Sequence, residues 1–132
     1  MSQENVEIAS RAIAALSELG EPAWDLYAPD LVFRTRGDFG DAQTFHGHDG
    51  LARALDGFRE VWGDDIKADL LEVLGSGDAC VVVLRFRLRG VQSGVDIEVD
   101  ESWAMWLVDG RISRMEQYGA TPEALKAVGL AE

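Results

Sequence analysis

Two neighbouring stretches of this chain carry complementary charge at every second residue, and that pattern constrains the fold more than any other feature. From Cys80 to Gly90, Val82, Leu84, Phe86 and Leu88 point to one face of an extended strand while Arg85, Arg87 and Arg89 point to the other. After a loop at Val91 to Gly94, Asp96, Glu98 and Asp100 alternate against Val95, Ile97 and Val99. If Gly90 pairs with Val95, Arg89 falls beside Asp96, Arg87 beside Glu98 and Arg85 beside Asp100, all on one face. Exposed ion pairs of this kind satisfy each other, so that face is the outer one. The inner face then sets Leu88 against Ile97, Phe86 against Val99, Leu84 against Glu101 and Val82 against Trp103. One carboxylate, Glu101, lands among hydrophobes.

The final strand, Arg111 to Gly119, follows the turn at Asp109-Gly110, and the turn type decides which residues it buries. A two-residue turn puts Arg114, Glu116 and Tyr118 inside. A type I turn with Gly110 as a bulge puts Ser113, Met115 and Gln117 inside, with Gln117 opposite Glu101 and Trp106 paired with Ile112 on the outer face. The bulge is preferred because the alternative buries two charges. An outward Trp106–Ile112 pair would suit a homodimer contact through the outer sheet face.

The first half reads as helix and strand. Ser2 caps a helix in which Val6, Ala9, Ile13 and Leu16 recur at helical spacing, ended by Gly20. Pro22 opens a short second helix bearing Trp24 and Tyr27, which Pro29 closes. Leu31 to Arg36 alternates as a strand, a polar Gly-rich stretch follows, and Thr44 to His46 is extended. A third helix carries Leu51, Leu55, Phe58 and Trp62 on one stripe, with His48-Asp49 as its cap. Ile66 to Leu74 is a strand, Gly75 to Asp78 a turn, and Thr121-Pro122-Glu123 opens a terminal helix. The fold class is α+β: a curved antiparallel sheet wrapped around helices as a cone with an apolar pocket, in one domain over 1–132.

Acidic residues outnumber basic ones 24 to 12, which disfavours nucleic acid and anionic lipid and favours neutral or cationic small molecules. The lone Cys80 lies in an apolar run and can form no intrachain bridge. With no leader and no apolar run near the ~20 residues of a membrane helix, a cytoplasmic location is expected.

Four short segments, Ser2-Gln3-Glu4-Asn5-Val6-Glu7-Ile8, Tyr27-Ala28-Pro29-Asp30, Phe45-His46-Gly47-His48-Asp49-Gly50 and Asp109-Gly110-Arg111-Ile112 with Tyr118, resemble in order and spacing the SnoaL-like branch of the nuclear transport factor 2-like superfamily. The resemblance spans nearly the whole chain. It implies a cone with a pocket at its open end, frequent dimers, and members that include cyclases, isomerases, epoxide hydrolases and proteins without known catalysis. Carried over position by position, the Arg and two Asp of limonene-type epoxide hydrolases resemble Leu84, Phe86 and Gln117 here. The Asp base, Tyr and protonated Asp of ketosteroid-type isomerases resemble Thr35, Ala12 and a site near Trp103, where the cyclase Asp also falls. None of these side chains can play its family role, which leaves Glu101 and Ser102 nearby.

Glu101 is the candidate general acid or base, since a carboxylate on an apolar concave face is disfavoured as an anion and can exchange a proton near neutrality. Gln117 is the candidate orienting group, for Glu101 or for a substrate carbonyl. Trp24, Tyr27, Phe45, Phe58, Trp62, Trp103 and Met105 supply a pocket wall, with Phe33 and Thr35 on the first strand. Leu84, Phe86, Val99 and Met115 share the inner phase and complete the ligand-binding set. His46 is placed at the mouth; with His48 it lacks a third ligand of suitable spacing, so no metal is expected. Arg34 and Arg36 are expected to pair with the acidic excess. No cofactor is implied. The function expected is small-molecule binding, with isomerisation, cyclisation or elimination by Glu101. The alternatives are a dimeric non-catalytic binding module and, last, epoxide hydrolysis.

Overall fold

The computed structural model describes residues 2–36, 43–63, 66–75 and 78–129. The Gly-rich stretch after the first strand and part of the Gly75 to Asp78 turn lie outside them. Helix α1 spans Ser2–Leu19, followed by a single 3-10 turn at Trp24–Leu26, strand β1 at Tyr27–Arg34 and strand β2 at Thr44–His46. Helix α2 occupies Gly47–Trp62, and then come β3 (Lys67–Leu74), β4 (Ala79–Arg89), β5 (Asp96–Val108), β6 (Arg111–Tyr118) and helix α3 (Thr121–Ala127). The six strands form one sheet in the order β2-β1-β6-β5-β4-β3, antiparallel except where β1 runs parallel to β6. Among the described residues no helix is long and apolar enough to cross a membrane.

The β4–β5 register is the one the charges dictate: Arg89 with Asp96, Arg87 with Glu98, Arg85 with Asp100, and on the inner face Leu84 with Glu101 and Val82 with Trp103. Ion pairing follows it at two rungs only. Arg85 Nε lies 2.8 Å from Asp100 and Arg89 Nε 3.5 Å from Asp96, but Arg87 turns to Asp69 on β3, at 3.0 Å. β3 is the other neighbour of β4, and Lys67 rather than a carboxylate stands directly opposite Arg87 there, so Asp69 reaches it diagonally. The ladder stops at Asp100 because α3 lies on the outer face beyond it. Ser102 and Ala104 are buried there, and the Ser102 and Thr121 hydroxyls lie 2.7 Å apart.

The segment expected as a second helix is a 3-10 turn, and β1 begins at Tyr27 with Pro29 inside it. Proline is tolerated because its missing N–H falls where no ladder needs it. β2 pairs only with Val32 to Arg34, and the β1–β6 pairing shifts register between Tyr27 and Val32.

Neither expected register for β6 is the observed one. Val108 pairs with Arg111 across a two-residue turn in which Asp109 and Gly110 have φ of 53° and 76°, the backbone of a type I′ turn. Two residues later Ser113 is the extra residue of a bulge, its hydroxyl donating to the Trp106 carbonyl at 3.1 Å. Ile112 therefore faces Leu107 in the core, while Met105 meets Met115 and Trp103 meets Gln117. A bulge placed two residues beyond the turn, rather than in it, keeps Arg114 and Glu116 off the inner face and out of the apolar core, although Glu116 is itself buried among its neighbours on the outer face. The outward Trp106–Ile112 pair does not exist. Ile112 is fully buried, and Trp106 pairs with Arg114, whose guanidinium sits 5.7 Å from the indole centroid.

The core fills the space between α1, α2 and the inner sheet face. Ile8, Ala12 and Ile13 of α1 and Leu51 of α2 meet Val82, Leu84, Met105 and Ile112 there. Cys80 is free and buried in it, and burial pushes its thiol up to about 11.

Candidate functional site

Past that core the sheet and helices enclose a cavity of about 420 Å³. Its wall is built by period-2 alternation on the strands and by one face of α2. Phe33 and Thr35 come from β1 and its extension, Phe86 from β4, Glu101 and Trp103 from β5, and Met115 and Gln117 from β6. Facing them are Ala54, Leu55 and Phe58 of α2, with Tyr27 and Phe45 contributed by the first two strands. The aromatic rings form a continuous series: Phe45 to Phe33 at 6.3 Å between centroids, Phe33 to Trp103 at 6.2 Å, Trp103 to Phe86 at 5.9 Å and Phe86 to Phe58 at 6.2 Å. All are tilted pairs within the range where aromatic rings attract.

Five residues expected in the wall stand elsewhere. Leu84 and Met105 share the inner phase but are sealed in the core, with no exposed area. Val99 is half-buried opposite Phe86 and does not reach the cavity. Trp62 packs on the far side of Phe58, and Trp24 lies against the His48 ring at 5.2 Å. His46 is exposed at the end of β2 rather than in the lining. His48 does not cap α2: its Nε2 lies 3.0 Å from the Tyr27 carbonyl oxygen, and the cap residue is His46, without a side-chain bond. Among the described residues no three metal-binding side chains come together.

The sequence did not assign Leu16 and Gly20 at the end of α1, Ile66 and Ala68 at β3, or Gln43, Arg53 and Arg59 to the cavity. A signal existed for α2, whose stripe of Leu51, Leu55 and Phe58 is part of the lining, although it reads equally as core.

Glu101 faces the cavity, but not as a lone acid. One carboxylate oxygen accepts a hydrogen bond from Trp103 Nε1 at 2.9 Å, and the other from the Arg36 guanidinium at 2.9 Å. The two charged side chains are 13% and 12% exposed. Both oxygens are thus already engaged by donors, one of them a cation. Gln117, expected opposite Glu101, is opposite Trp103 instead, on the same cavity wall. Arg36 thus takes the acidic partner expected of it, across 65 residues of chain.

A second polar cluster lies on the outer face. Glu116, 7% exposed, receives both Nε and a terminal nitrogen of Arg114 on one oxygen and the Tyr118 hydroxyl on the other at 2.6 Å. Burial alone would raise this carboxyl, but the bonds from Tyr118 and Arg114 outweigh it and leave it below its ordinary value. Burial, then the bond to Glu116, pushes the Tyr118 phenol up to about 12.

The SnoaL-like domain family model matches residues 10–115. Among solved structures, an NTF2-like protein of unknown function from Burkholderia pseudomallei superposes with a TM-score of 0.78 at 20% identity, covering 98% of this chain and 99% of that one. TerC, co-crystallised with polyporic acid, gives 0.77 at 22% identity over 93% and 96%. A protein of ketosteroid isomerase-like fold from Catenulispora acidiphila, in complex with trimethylamine, gives 0.73 at 14% over 94% and 93%. At these identities the likeness is one of fold. No curated protein matches the chain.

Proposed function

The chain belongs to the SnoaL-like domain family, and we propose that it binds a compact, largely apolar organic ligand inside its cone. The observation that carries this reading is the cavity of about 420 Å³ with its aromatic wall, a size and lining suited to a small molecule. That TerC and the Catenulispora protein were crystallised with small organic molecules supports it. Glu101 is the group we assign to acid-base work on such a ligand, in an isomerisation, cyclisation or elimination, with Gln117 orienting either Glu101 or a substrate carbonyl. Epoxide hydrolysis requires a second carboxylate, and among the described residues Glu101 is the only one in the lining.

A library of small neutral ring compounds, screened by methyl NMR at Met115 and by tryptophan fluorescence, tests the binding. Wild type should bind members that Ala54→Trp, which fills the cavity from α2, does not. Binding unchanged by the filling, or none at all, removes the proposal.

The engagement of both Glu101 oxygens favours a second reading, a binding module without turnover. Glu101→Gln separates the two once a ligand is found: loss of its conversion with binding retained supports catalysis, and no conversion by wild type supports the module. A homodimer through the outer face belongs to this second reading, with Trp106 as its apolar contact. Sedimentation of a dimer that Trp106→Glu dissociates would support it, and a monomeric wild type would remove it.

A further inference from the structure

Tyr27 ends in a hydroxyl that finds no partner among the described residues. Its backbone is fully committed, paired with Ile112 across the sheet and accepting from His48 through its carbonyl. The side chain is 2% exposed and lines the cavity. Among the described residues nothing hydrogen-bonds the hydroxyl, yet no side-chain polar atom is both sealed from open space and unpartnered. The hydroxyl therefore borders open space, and the cavity is the open space this ring lines. A phenylalanine would fill the same volume without a polar atom to satisfy, so no bond within the described fold calls for the oxygen.

We propose that the Tyr27 hydroxyl is a subsite that donates a hydrogen bond to an uncharged oxygen on the ligand, a carbonyl carried on a ring; this rests on the cavity-binding reading above. Burial pushes the phenol above its ordinary value, so it stays an O–H donor across the working pH range. Arg53 and Arg59 also line the cavity, but an anionic oxygen placed at the phenol would have to shed its hydration for one uncharged donor, and an ammonium carries no acceptor for this donor. A neutral carbonyl meets neither penalty, and its ring packs against the aromatic series.

The probes are 1-indanone and indane, the same ring system with and without the carbonyl, titrated into wild type and Tyr27→Phe. Wild type should prefer the ketone over the hydrocarbon by roughly three- to tenfold more than Tyr27→Phe does, the range set by one neutral hydrogen bond. Indane should bind both proteins alike. The infrared carbonyl stretch of bound indanone should lie lower in wild type and relax upward in the variant. An unchanged ketone preference with an unchanged stretch overturns the subsite while the cavity still binds. Failure of both probes to bind wild type brings down the cavity reading and the subsite with it. Tyr27→Phe should unfold at or above the wild-type temperature, and a fall of several degrees would reveal a structural partner for the hydroxyl and overturn the proposal.

Discussion

Truncating a side chain costs less where one of its sides already faces empty space, and Leu84 and Phe58 offer the comparison. Leu84 is sealed on the inner face of β4, so Leu84→Ala loses the transfer free energy of its methyl groups and leaves a closed void. The expected cost is about 3–5 kcal/mol. Phe58 is half-buried, packs on Phe86 and Trp62, and borders the cavity with the rest of its ring. Removing it enlarges an existing space instead of creating one, so only the contact it actually makes is lost, about 1–2 kcal/mol despite the larger side chain. Urea unfolding of both variants at matched pH measures the difference, and a thermal scan should separate them by about 4 °C per kcal/mol. If Phe58→Ala costs as much as Leu84→Ala, the ring is enclosed by protein and the cavity as described here is wrong.

Glu116 has a folded value below its unfolded one, so its contribution is fully present above the unfolded carboxyl range and lost as pH falls through the folded value. Glu116→Gln should therefore destabilise by about 1 kcal/mol at pH 7, discounted because Arg114 is half exposed, and match wild type at strongly acidic pH in a denaturation series. The Cys80 thiol, buried and pushed up to about 11, should resist alkylation by iodoacetamide at pH 8 until urea unfolds the chain; rapid labelling of the folded protein would contradict its placement. Gly110→Ala puts a Cβ on a residue with φ of 76° and open space around it, so backbone strain alone should cost about 1 kcal/mol in the same unfolding assay.

The sequence made most of the sheet legible because charge on the outer face reports phase and register at once. Arg85, Arg87 and Arg89 admit one alignment against Asp96, Glu98 and Asp100, and the structure has it. Which residues of these two strands face inward is then readable, and Phe86 and Trp103 line the cavity; Met115 and Gln117 line it too, but through a register of β6 that neither reading of its turn supplied. Alternation does not encode depth: Leu84 and Met105 share their phase but lie where the helices close the cone. Nor does it encode partners far apart in sequence, which is why the Arg36 contact to Glu101 was readable only as a general tendency of arginines in an acidic chain. The cover provided by α3 has a trace in the sequence, the change from acidic residues to Ser102 and Ala104 along the outer face of β5.

The bulge at Ser113 has a consequence for comparison between chains. It acts as a parity correction: the turn at Asp109-Gly110 sets one reading of β6, and a single extra residue inverts it before Arg114. Deleting Ser113 would remove the bulge yet leave Met115 opposite Met105 and Gln117 opposite Trp103, whereas a regular ladder that kept Ser113 would turn Arg114 and Glu116 toward the cavity instead. Any relative whose hairpin lacks this residue must be aligned with a one-residue gap here, or the wrong half of its last strand will be credited with touching the ligand.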